Sequence, residues 1–246
     1  MAGEPVFLVG AMPATGAFLL DGEEGRHAAM VRRMRPGEQL ILTDGEGSWA
    51  PATVTAVDRA AVTVRVGAAA TDPPPALRVV LVQALPKGER SDLAVDLATE
   101  SGVDAIVPWQ AARCVARWTG SPDKPERGRQ RWQSVAREAA KQSRRTRVPR
   151  VLSLASTAEV VTMIRAAAGA LVLHEAGSSR ISAVSLPAAG DLVVVVGPEG
   201  GISPDELDQL TAAGAVAVRL GREVLRTSAA SAVALGALGA LTDRWR

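Results

Sequence analysis

The chain changes its pattern of apolar and polar positions near Asp72. Before that point, short segments rich in β-branched residues alternate apolar with polar positions, which is typical of half-buried strands. The strands predicted there are 39–43, 52–57 and 61–66, with turns at 35–37 and 44–47. A short helix is predicted at His27–Met34. Residues 1–72 are therefore predicted to form a small β-barrel-like domain.

Pro73–Pro75 mark a linker, because three consecutive prolines cannot continue a helix or a central strand. Beyond them, apolar runs of strand length alternate with longer segments of helical character. The predicted strands are 77–84, 105–107, 170–173, 192–196 and 217–220. The predicted helices are 89–101, 127–143, 157–168, 204–213 and 227–241. This alternation predicts a parallel α/β sheet in a second domain, residues 76–246.

Composition narrows the class of protein. Hydrophobic residues make up 47% of the 246 residues, which is enough for a real core, whereas aromatic residues make up only 3%. The single cysteine, Cys114, excludes an intrachain disulfide and a multi-cysteine metal site, and it fits a reducing compartment. The first residues lack signal-peptide features, and Ala229–Leu241 is too short to span a bilayer. A cytoplasmic protein without a membrane segment is expected.

The formal charge of +2 identifies no partner, but the charges are unevenly distributed. From Arg127 to Arg150 there are nine Arg or Lys residues and one acid, Glu138. At helical spacing, one basic face is predicted from Arg137, Lys141, Arg144 and Arg145, with Arg147 and Arg150 extending it. Such a face either contacts RNA phosphates or is a solvated helix surface. Arg32, Arg33 and Arg35 offer a second group of cations in the first domain.

The strongest local signal is the segment Val193–Pro204, in which a buried strand ends in the glycine-rich turn Gly197–Gly201. Ser203 as N-cap and Pro204 at the first position predict a helix after that turn. Ligands of parallel α/β sheets bind beyond the carboxyl ends of strands, where this turn lies. It is therefore either a ligand-binding turn or an ordinary strand-to-helix connection.

Two further strand ends carry glycine and charge. Leu220–Ala230 follows one strand, and Leu173, His174 and Glu175 end another. Three such ends can converge on one pocket, although His174 by itself more often has a structural role. The sequence contains no G-x-G-x-x-G fingerprint, no P-loop and no H-E-x-x-H, so no ordinary nucleotide site and no metal site is expected.

Together these segments resemble the ribosomal RNA small subunit methyltransferase E family. The resemblance lies in Gly197–Gly201, Leu220–Thr227 and Leu173–Glu175, and nearly the whole chain follows the family's order. Upstream it extends to Ala84–Arg90, Thr99–Val103 and Glu138–Arg144, and to His27, Val31, Arg33, Arg35, Pro36 and Gly37. The resemblance implies an N-terminal PUA-like RNA-binding domain and a SPOUT methyltransferase domain with a C-terminal trefoil knot.

It also implies that S-adenosylmethionine is the cofactor and that N3 of a uridine in 16S rRNA, in the small ribosomal subunit, is methylated. The implied cofactor-binding residues are Leu173, His174, Glu175, Gly197, Pro198, Glu199, Gly200, Gly201, Leu220, Gly221, Leu225, Arg226 and Ser228. The implied RNA-binding residues are His27, Arg33, Arg35, Lys87, Arg90, Arg137, Lys141, Gln142, Arg144 and Arg145. Knotted relatives are generally homodimers, so the small-residue helix 227–241 is either an interface or a tightly packed intradomain helix.

Two residues are candidates for catalysis. Arg226 lies in the cofactor loop and keeps its charge, so it can stabilise negative charge that develops on the uracil oxygens. Glu199 is either the proton acceptor or an acid favoured by a helix N-terminus. Family members often carry glutamate at position 228, where Ser228 offers only a hydroxyl suited to an N-cap or a cofactor hydrogen bond.

Two other functions are compatible with these features. One is a knotted methyltransferase that acts on a ribose 2′-hydroxyl or a tRNA base. The other is a non-catalytic RNA-binding assembly factor that has kept the fold. The glycine turn and Arg226 favour an enzyme over a non-catalytic assembly factor.

Overall fold

The computed structural model describes residues 3–88, 90–177 and 179–245, and these residues form two compact units. The first unit extends to Pro74 and also includes Ala140–Val148. The second comprises Pro75–Ala139 and the described residues from Pro149 onward. The predicted division into 1–72 and 76–246 therefore omitted one segment, because 140–148 belongs with the N-terminal unit.

Within its described residues, the first unit contains six strands. They are β1 Val6–Leu8, β2 Gly16–Leu20, β3 Gln39–Thr43, β4 Ser48–Val57, β5 Val62–Val66 and β6 Ala70–Thr71. The sheet order is β1-β3-β4-β5-β2, with β6 on β4, and only the β1–β3 pair among those described is parallel. In β5, Val62, Val64 and Val66 are buried while Arg65 is exposed, as the two-residue period of a strand requires.

The helical segment predicted at His27–Met34 begins and ends earlier in the structure, at residues 22 and 31. Helix α1 covers Gly22–Arg26 and continues into a π-helical turn at His27–Val31. Gly25 lies against the carbonyl of Leu20, where a Cβ would collide with backbone, so only glycine lets the helix pack there.

The segment 140–148 is held in the first unit by polar contacts. The Lys141 ammonium lies 3.0 Å from a Glu24 carboxylate oxygen. The Thr146 hydroxyl donates to Asp72 Oδ2 at 2.6 Å, and the Arg147 guanidinium donates to the carbonyls of Glu46 and Asp72. Arg147 therefore serves the packing of this unit, and the expectation that it extends an exposed basic face is wrong.

The second unit has a parallel sheet with helices between its strands. The described strands are β7 Leu77–Ala84, β8 Ala105–Trp109, β9 Arg150–Val151, β10 Gly169–Leu173, β11 Ser179–Arg180, β12 Gly190–Val196 and β13 Val216–Arg219. The helices are α2 Arg90–Glu100, α3 Lys124–Gln142, α4 Thr157–Ala166, α5 Pro204–Ala212 and α6 Thr227–Leu241, with 3-10 turns at Ile181–Ala183 and Asp243–Trp245. Residues 140–142 at the end of α3 belong to the first unit. The predicted α/β class is confirmed, and the predicted helix start at Glu89 lies outside the described residues.

The order of the second sheet is β11-β13-β10-β12-β7-β8-β9, and each described pairing is parallel. The central strands β7 and β12 are rich in Val and Leu, and consecutive residues along them are buried, so both faces of the sheet are covered there. Strands β12 and β13 follow each other in the chain, but β10 lies between them in the sheet. Crossover connections therefore bring segments that are distant in sequence to the same edge of the sheet.

Helix α6 packs against α2, β7 and β12. Its inner face buries Ala230, Ala234 and Leu238, and the indole of Trp245 covers Gly239 so closely that a Cβ could not be added. Close packing within the unit therefore explains most of the small residues of this helix. None of the helices in the described part of the chain combines the length and apolar character needed to cross a bilayer.

Candidate functional site

Three neighbouring strands of the second unit end at the same level. Leu173 at the end of β10 pairs with Val196 of β12 and with Val218 of β13. The polar segments that follow these strands therefore begin side by side at one edge of the sheet. This is the convergence of three strand ends that the sequence predicted.

The converging segments enclose a cavity of about 520 Å³, within the roughly 300–1,000 Å³ typical of small-molecule sites. Every predicted cofactor residue except Ser228 lines it. The lining residues are Arg90, Arg113, Leu173, His174, Glu175, Val196, Gly197, Pro198, Glu199, Gly200, Gly201, Ile202, Val218, Arg219, Leu220, Gly221, Glu223, Val224, Leu225, Arg226, Thr227 and Ala230. Both proposed catalytic residues, Glu199 and Arg226, are among them.

Close contacts and backbone conformation favour glycine in the 197–201 turn. A Cβ on Gly197 would lie 2.7 Å from Ile202 Cγ1, and one on Gly200 would lie 3.2 Å from the Arg113 backbone oxygen. Gly201 has a φ of +72°, which favours glycine, and its N–H donates to the Pro198 carbonyl at 2.9 Å. Packing around the turn therefore favours glycine at positions 197 and 200.

The helix after the turn begins as predicted. Ser203 is the N-cap of α5, Pro204 occupies the first turn, and Glu206 completes a capping box with Ser203. The buried Glu206 carboxylate also accepts the Ala112 N–H at 2.8 Å and the Thr157 hydroxyl at 3.1 Å. One carboxylate thus joins the start of α5, the start of α4 and the loop after β8.

Because Glu206 holds three elements, we expect Glu206→Ala to lower the free energy of unfolding by about 2–3 kcal/mol, the range for lost hydrogen bonds to a charged group. Glu159 is the matched control. It forms the same capping box with Ser156 on α4 but is exposed. Glu159→Ala should cost below about 1 kcal/mol. Urea unfolding of both variants measures the difference, and equal losses would show that the contacts to Ala112 and Thr157 contribute nothing.

Charged side chains of both signs line the cavity. The cations are Arg90, Arg113, Arg219 and Arg226, and the acids are Glu175, Glu199 and Glu223. Arg226 is the N-cap residue of α6, and its carbonyl accepts the Ala229 and Ala230 N–H groups at 2.9 Å. Its backbone is thereby fixed while its exposed side chain reaches the cavity.

Glu199 is fixed in a different way, because its Oε1 accepts the Lys87 backbone N–H at 3.2 Å. Helix α5 starts only at Pro204, and the acids of its first turn are Asp205 and Glu206. The effect of a helix dipole is confined to the first turn, so the interpretation of Glu199 as a helix N-terminal acid is wrong.

Ser228 does not line the cavity. It is a buried residue of α6, and the helix takes Arg226 rather than Ser228 as its N-cap. The predicted N-cap role of Ser228 is therefore wrong, and its predicted hydrogen bond to the cofactor has no support from the cavity lining.

Arg113 is a cavity residue that the sequence reasoning missed. It lies in the loop after β8, and its Nη1 donates to the Gly200 carbonyl at 3.3 Å. The sequence signal for Arg113 was the polar segment that follows a predicted strand. Because β8 is parallel to β7, its carboxyl end lies at the same edge of the sheet as the other site segments. Next to it, burial raises the pKa of the Cys114 thiol, which disfavours the reactive thiolate form.

Two family models match the chain. One, an RNA methyltransferase domain, matches residues 73–239, and the other, an RNA methyltransferase PUA domain, matches residues 20–67. The chain is also 54% identical over 245 residues to the ribosomal RNA small subunit methyltransferase E of Mycobacterium bovis, covering 98% of this chain and 93% of that protein.

The chain belongs to the ribosomal RNA small subunit methyltransferase E family.

A more distant family member supports the same assignment. The methyltransferase E of Bacillus subtilis is 33% identical over 237 residues, covering 93% of this chain and 92% of that protein. The crystal structure of the methyltransferase E of Neisseria gonorrhoeae bound to S-adenosyl methionine matches with a TM-score of 0.85 and 28% identity, covering 97% of this chain and 98% of that chain. The expected combination of a PUA-like domain and a methyltransferase domain is confirmed.

The predicted basic face of this family member is only partly exposed. Arg137 and Arg144 are exposed and Arg145 is partly exposed, but the Lys141 side chain is only 6% exposed and pairs with Glu24. The expectation that Lys141 lies on an open RNA-binding face is therefore wrong. The remaining predicted RNA-binding residues, His27, Arg33, Arg35, Lys87, Arg90 and Gln142, are exposed or partly exposed.

Proposed function

We propose that this chain transfers a methyl group from S-adenosylmethionine to N3 of a uridine in the 16S rRNA of the small ribosomal subunit. The cavity of about 520 Å³ carries this proposal, because it is built from the same segments through which the chain resembles its family. The names of its relatives support ribosomal RNA as the substrate.

The residues of the cavity fit S-adenosylmethionine. Apolar side chains such as Leu173, Leu220 and Leu225 offer a surface for the adenine, and backbone groups of the glycine turn offer hydrogen bonds. The acids Glu175 and Glu223 suit the hydroxyl, ammonium and sulfonium groups of this molecule. When bound, S-adenosylmethionine supplies a methyl group on a positively charged sulfur.

The side chains of the site have two tasks toward the uridine. N3 carries a proton that must leave before the nitrogen can attack, and the Glu199 carboxylate is the candidate acceptor. Negative charge then spreads onto the two carbonyl oxygens of the uracil, where the Arg226 guanidinium stabilises it. Both residues line the cavity. The Glu199 carboxylate is held by the Lys87 N–H, and the backbone of Arg226 is held by the first turn of α6, so the two residues start from fixed positions.

The proposal includes three features of the assembled protein. The methyltransferase domain contains the trefoil knot that is characteristic of SPOUT relatives. Two chains form a homodimer, which is supported by the exposed apolar side chains Val224, Val233 and Leu241 in and next to α6. The protein works in the cytoplasm, where ribosomal RNA is modified.

Light scattering tests the dimer: it should give twice the mass of one chain, and Val233→Asp should lower that mass.

The activity is tested by incubating the protein with isotopically labelled S-adenosylmethionine and either small ribosomal subunits or tRNA. Both RNA sources come from a strain that lacks the corresponding gene. We expect label in 16S rRNA and none in tRNA. Label in tRNA would instead support a knotted methyltransferase with another target. Cofactor binding without any transfer of label would support a non-catalytic assembly factor.

A further inference from the structure

The first unit contains a second, smaller cavity that shares no residue with the cofactor cavity. Its volume is about 110 Å³, and its walls come from β1, the π-helical turn and the end of α3. Its lining residues are Pro5, Val6, Phe7, His27, Arg32, Lys141, Gln142 and Arg144. All of them belong to the first compact unit.

The lining of this cavity is cationic. Arg32, Lys141 and Arg144 carry positive charge, and no acid is among the residues that line the cavity. The Lys141 ammonium is fixed by Glu24, 3.0 Å away, with both side chains nearly buried. Arg32 and Arg144 are exposed, so their guanidinium groups can close on a ligand. Glu24 offsets one cation, which leaves a net positive site for an anion.

The backbone around the cavity is held in unusual conformations. His27 and Arg32 lie at the two ends of the π-helical turn, where the Arg32 N–H donates to the His27 carbonyl at 2.8 Å. Arg144 has a φ of +57°, which side-chain-bearing residues rarely adopt. The His27 ring packs edge-on against Phe7, with 6.0 Å between the ring centroids. Conformations of this kind are concentrated at binding sites, where they fix side chains in advance.

The size of the cavity limits its ligand. About 110 Å³ is well below the roughly 300–1,000 Å³ of sites that enclose whole small molecules, so a single phosphate group fits better than a nucleotide. Arginine is the side chain best matched to phosphate, because its planar fork binds two oxygens at once.

We propose that this cavity of the first unit binds one backbone phosphate of the RNA substrate. Arg32 and Arg144 hold its oxygens and supply the net positive charge, since Glu24 offsets the charge of Lys141. The contact fixes the position of the RNA without reading its sequence. The inference rests on the proposed function in one respect, namely that the phosphate belongs to RNA rather than being free in solution.

The two histidines of the chain provide separate probes, since His27 lines this cavity and His174 lines the cofactor cavity. With isotopically labelled histidine, NMR follows both imidazoles during titrations with inorganic phosphate and with a short single-stranded oligoribonucleotide at constant ionic strength. We expect both ligands to shift the His27 signals saturably, with His174 unchanged. S-adenosylmethionine should shift His174 and leave His27 in place.

Variants connect the shift to the two arginines. In the double variant Arg32→Gln, Arg144→Gly, the affinity obtained from the saturable His27 shift should fall at least about tenfold. Glycine is chosen at position 144 because it accepts the positive φ there without strain. The slope of log affinity for RNA against log salt concentration should also decrease by about 0.7, the value for one lost phosphate contact with a single strand. Arg65→Gln is the control, because Arg65 is exposed on β5 and lies outside this cavity.

Three outcomes would overturn the inference: equal His27 shifts with chloride and phosphate, an unchanged shift in the double variant, or the same loss in Arg65→Gln. A response to inorganic phosphate without one to the oligoribonucleotide would overturn the assignment to RNA and leave a free-phosphate site. Failure of S-adenosylmethionine to shift His174, with the His27 response intact, would contradict the proposed function while supporting the phosphate site.

Discussion

Arg226→Ala is expected to lower the single-turnover rate of methyl transfer by on the order of a hundredfold, as for the loss of one preorganised charge-stabilising donor. The guanidinium acts on charge that develops only as the uridine reacts, so the loss appears in the rate and much less in binding. Arg226→Lys should recover little, because a point charge on a flexible stem does not replace a planar fork. The rate is measured at saturating cofactor and RNA.

The matched control for this experiment is Arg222→Ala. Arg222 is exposed in the same loop but does not line the cavity, so its removal should leave the rate close to that of the parent. If Arg226→Ala instead weakens cofactor or RNA binding and keeps a normal rate at saturation, Arg226 is a binding residue. In that case Arg226 would not be a catalytic residue.

Gly221→Val should weaken S-adenosylmethionine binding without unfolding the protein. Gly221 lines the cavity, and a Cβ there would meet only Glu223, chiefly the mobile end of its side chain, with Oε2 at 3.1 Å. The valine methyl groups would therefore compete with the ligand for space. Overpacking costs about 1–3 kcal/mol, which corresponds to roughly a fivefold to 150-fold increase in the dissociation constant. Calorimetric titration measures the affinity and a thermal melt the stability.

Two other glycines separate ligand exclusion from internal packing. Gly197→Val should lower the melting temperature, because its side chain would collide with Ile202. Gly10→Val should change neither property, since a Cβ at Gly10 meets nothing within 4 Å. Unchanged cofactor affinity in Gly221→Val would place the ligand away from the loop after β13.

Local patterns were enough to predict most of the second unit. The predicted bounds of β7 and α6 agree with the structure, because a mostly apolar run of strand length and a long run of small residues are each signals within one segment. The convergence of the segments after β10, β12 and β13 followed from the rule that parallel strands present their carboxyl ends at one edge. For this reason nearly all of the predicted cofactor residues line one cavity.

What the sequence could not predict depends on contacts between distant residues. Lys141 belongs to a regular basic spacing, and nothing near it indicates that Glu24 buries its charge. The placement of 140–148 in the first unit depends on Asp72, which accepts from Thr146 across 74 positions of the chain. Strands β9 and β11 have two residues each, too few for a period to appear.

The N-terminal unit was harder to predict for a related reason. In β2 only Leu20 is fully buried, so its apolar pattern is weak. The shift of the first helix depends on Gly25 fitting against the Leu20 carbonyl, a contact that no periodicity encodes. Sequence patterns thus predicted most of the longer elements and missed short ones such as β1, together with features fixed by single contacts.

The central claim is that uridine N3 in 16S rRNA receives the methyl group, and one measurement tests it most directly. Small subunits from a strain lacking the gene are treated with the protein and S-adenosylmethionine, and the rRNA is digested to nucleosides for mass spectrometry against standards. The account predicts that 3-methyluridine appears with the parent protein and is strongly reduced with Arg226→Ala. A methylated ribose or another methylated base in its place, or no new nucleoside, would contradict it.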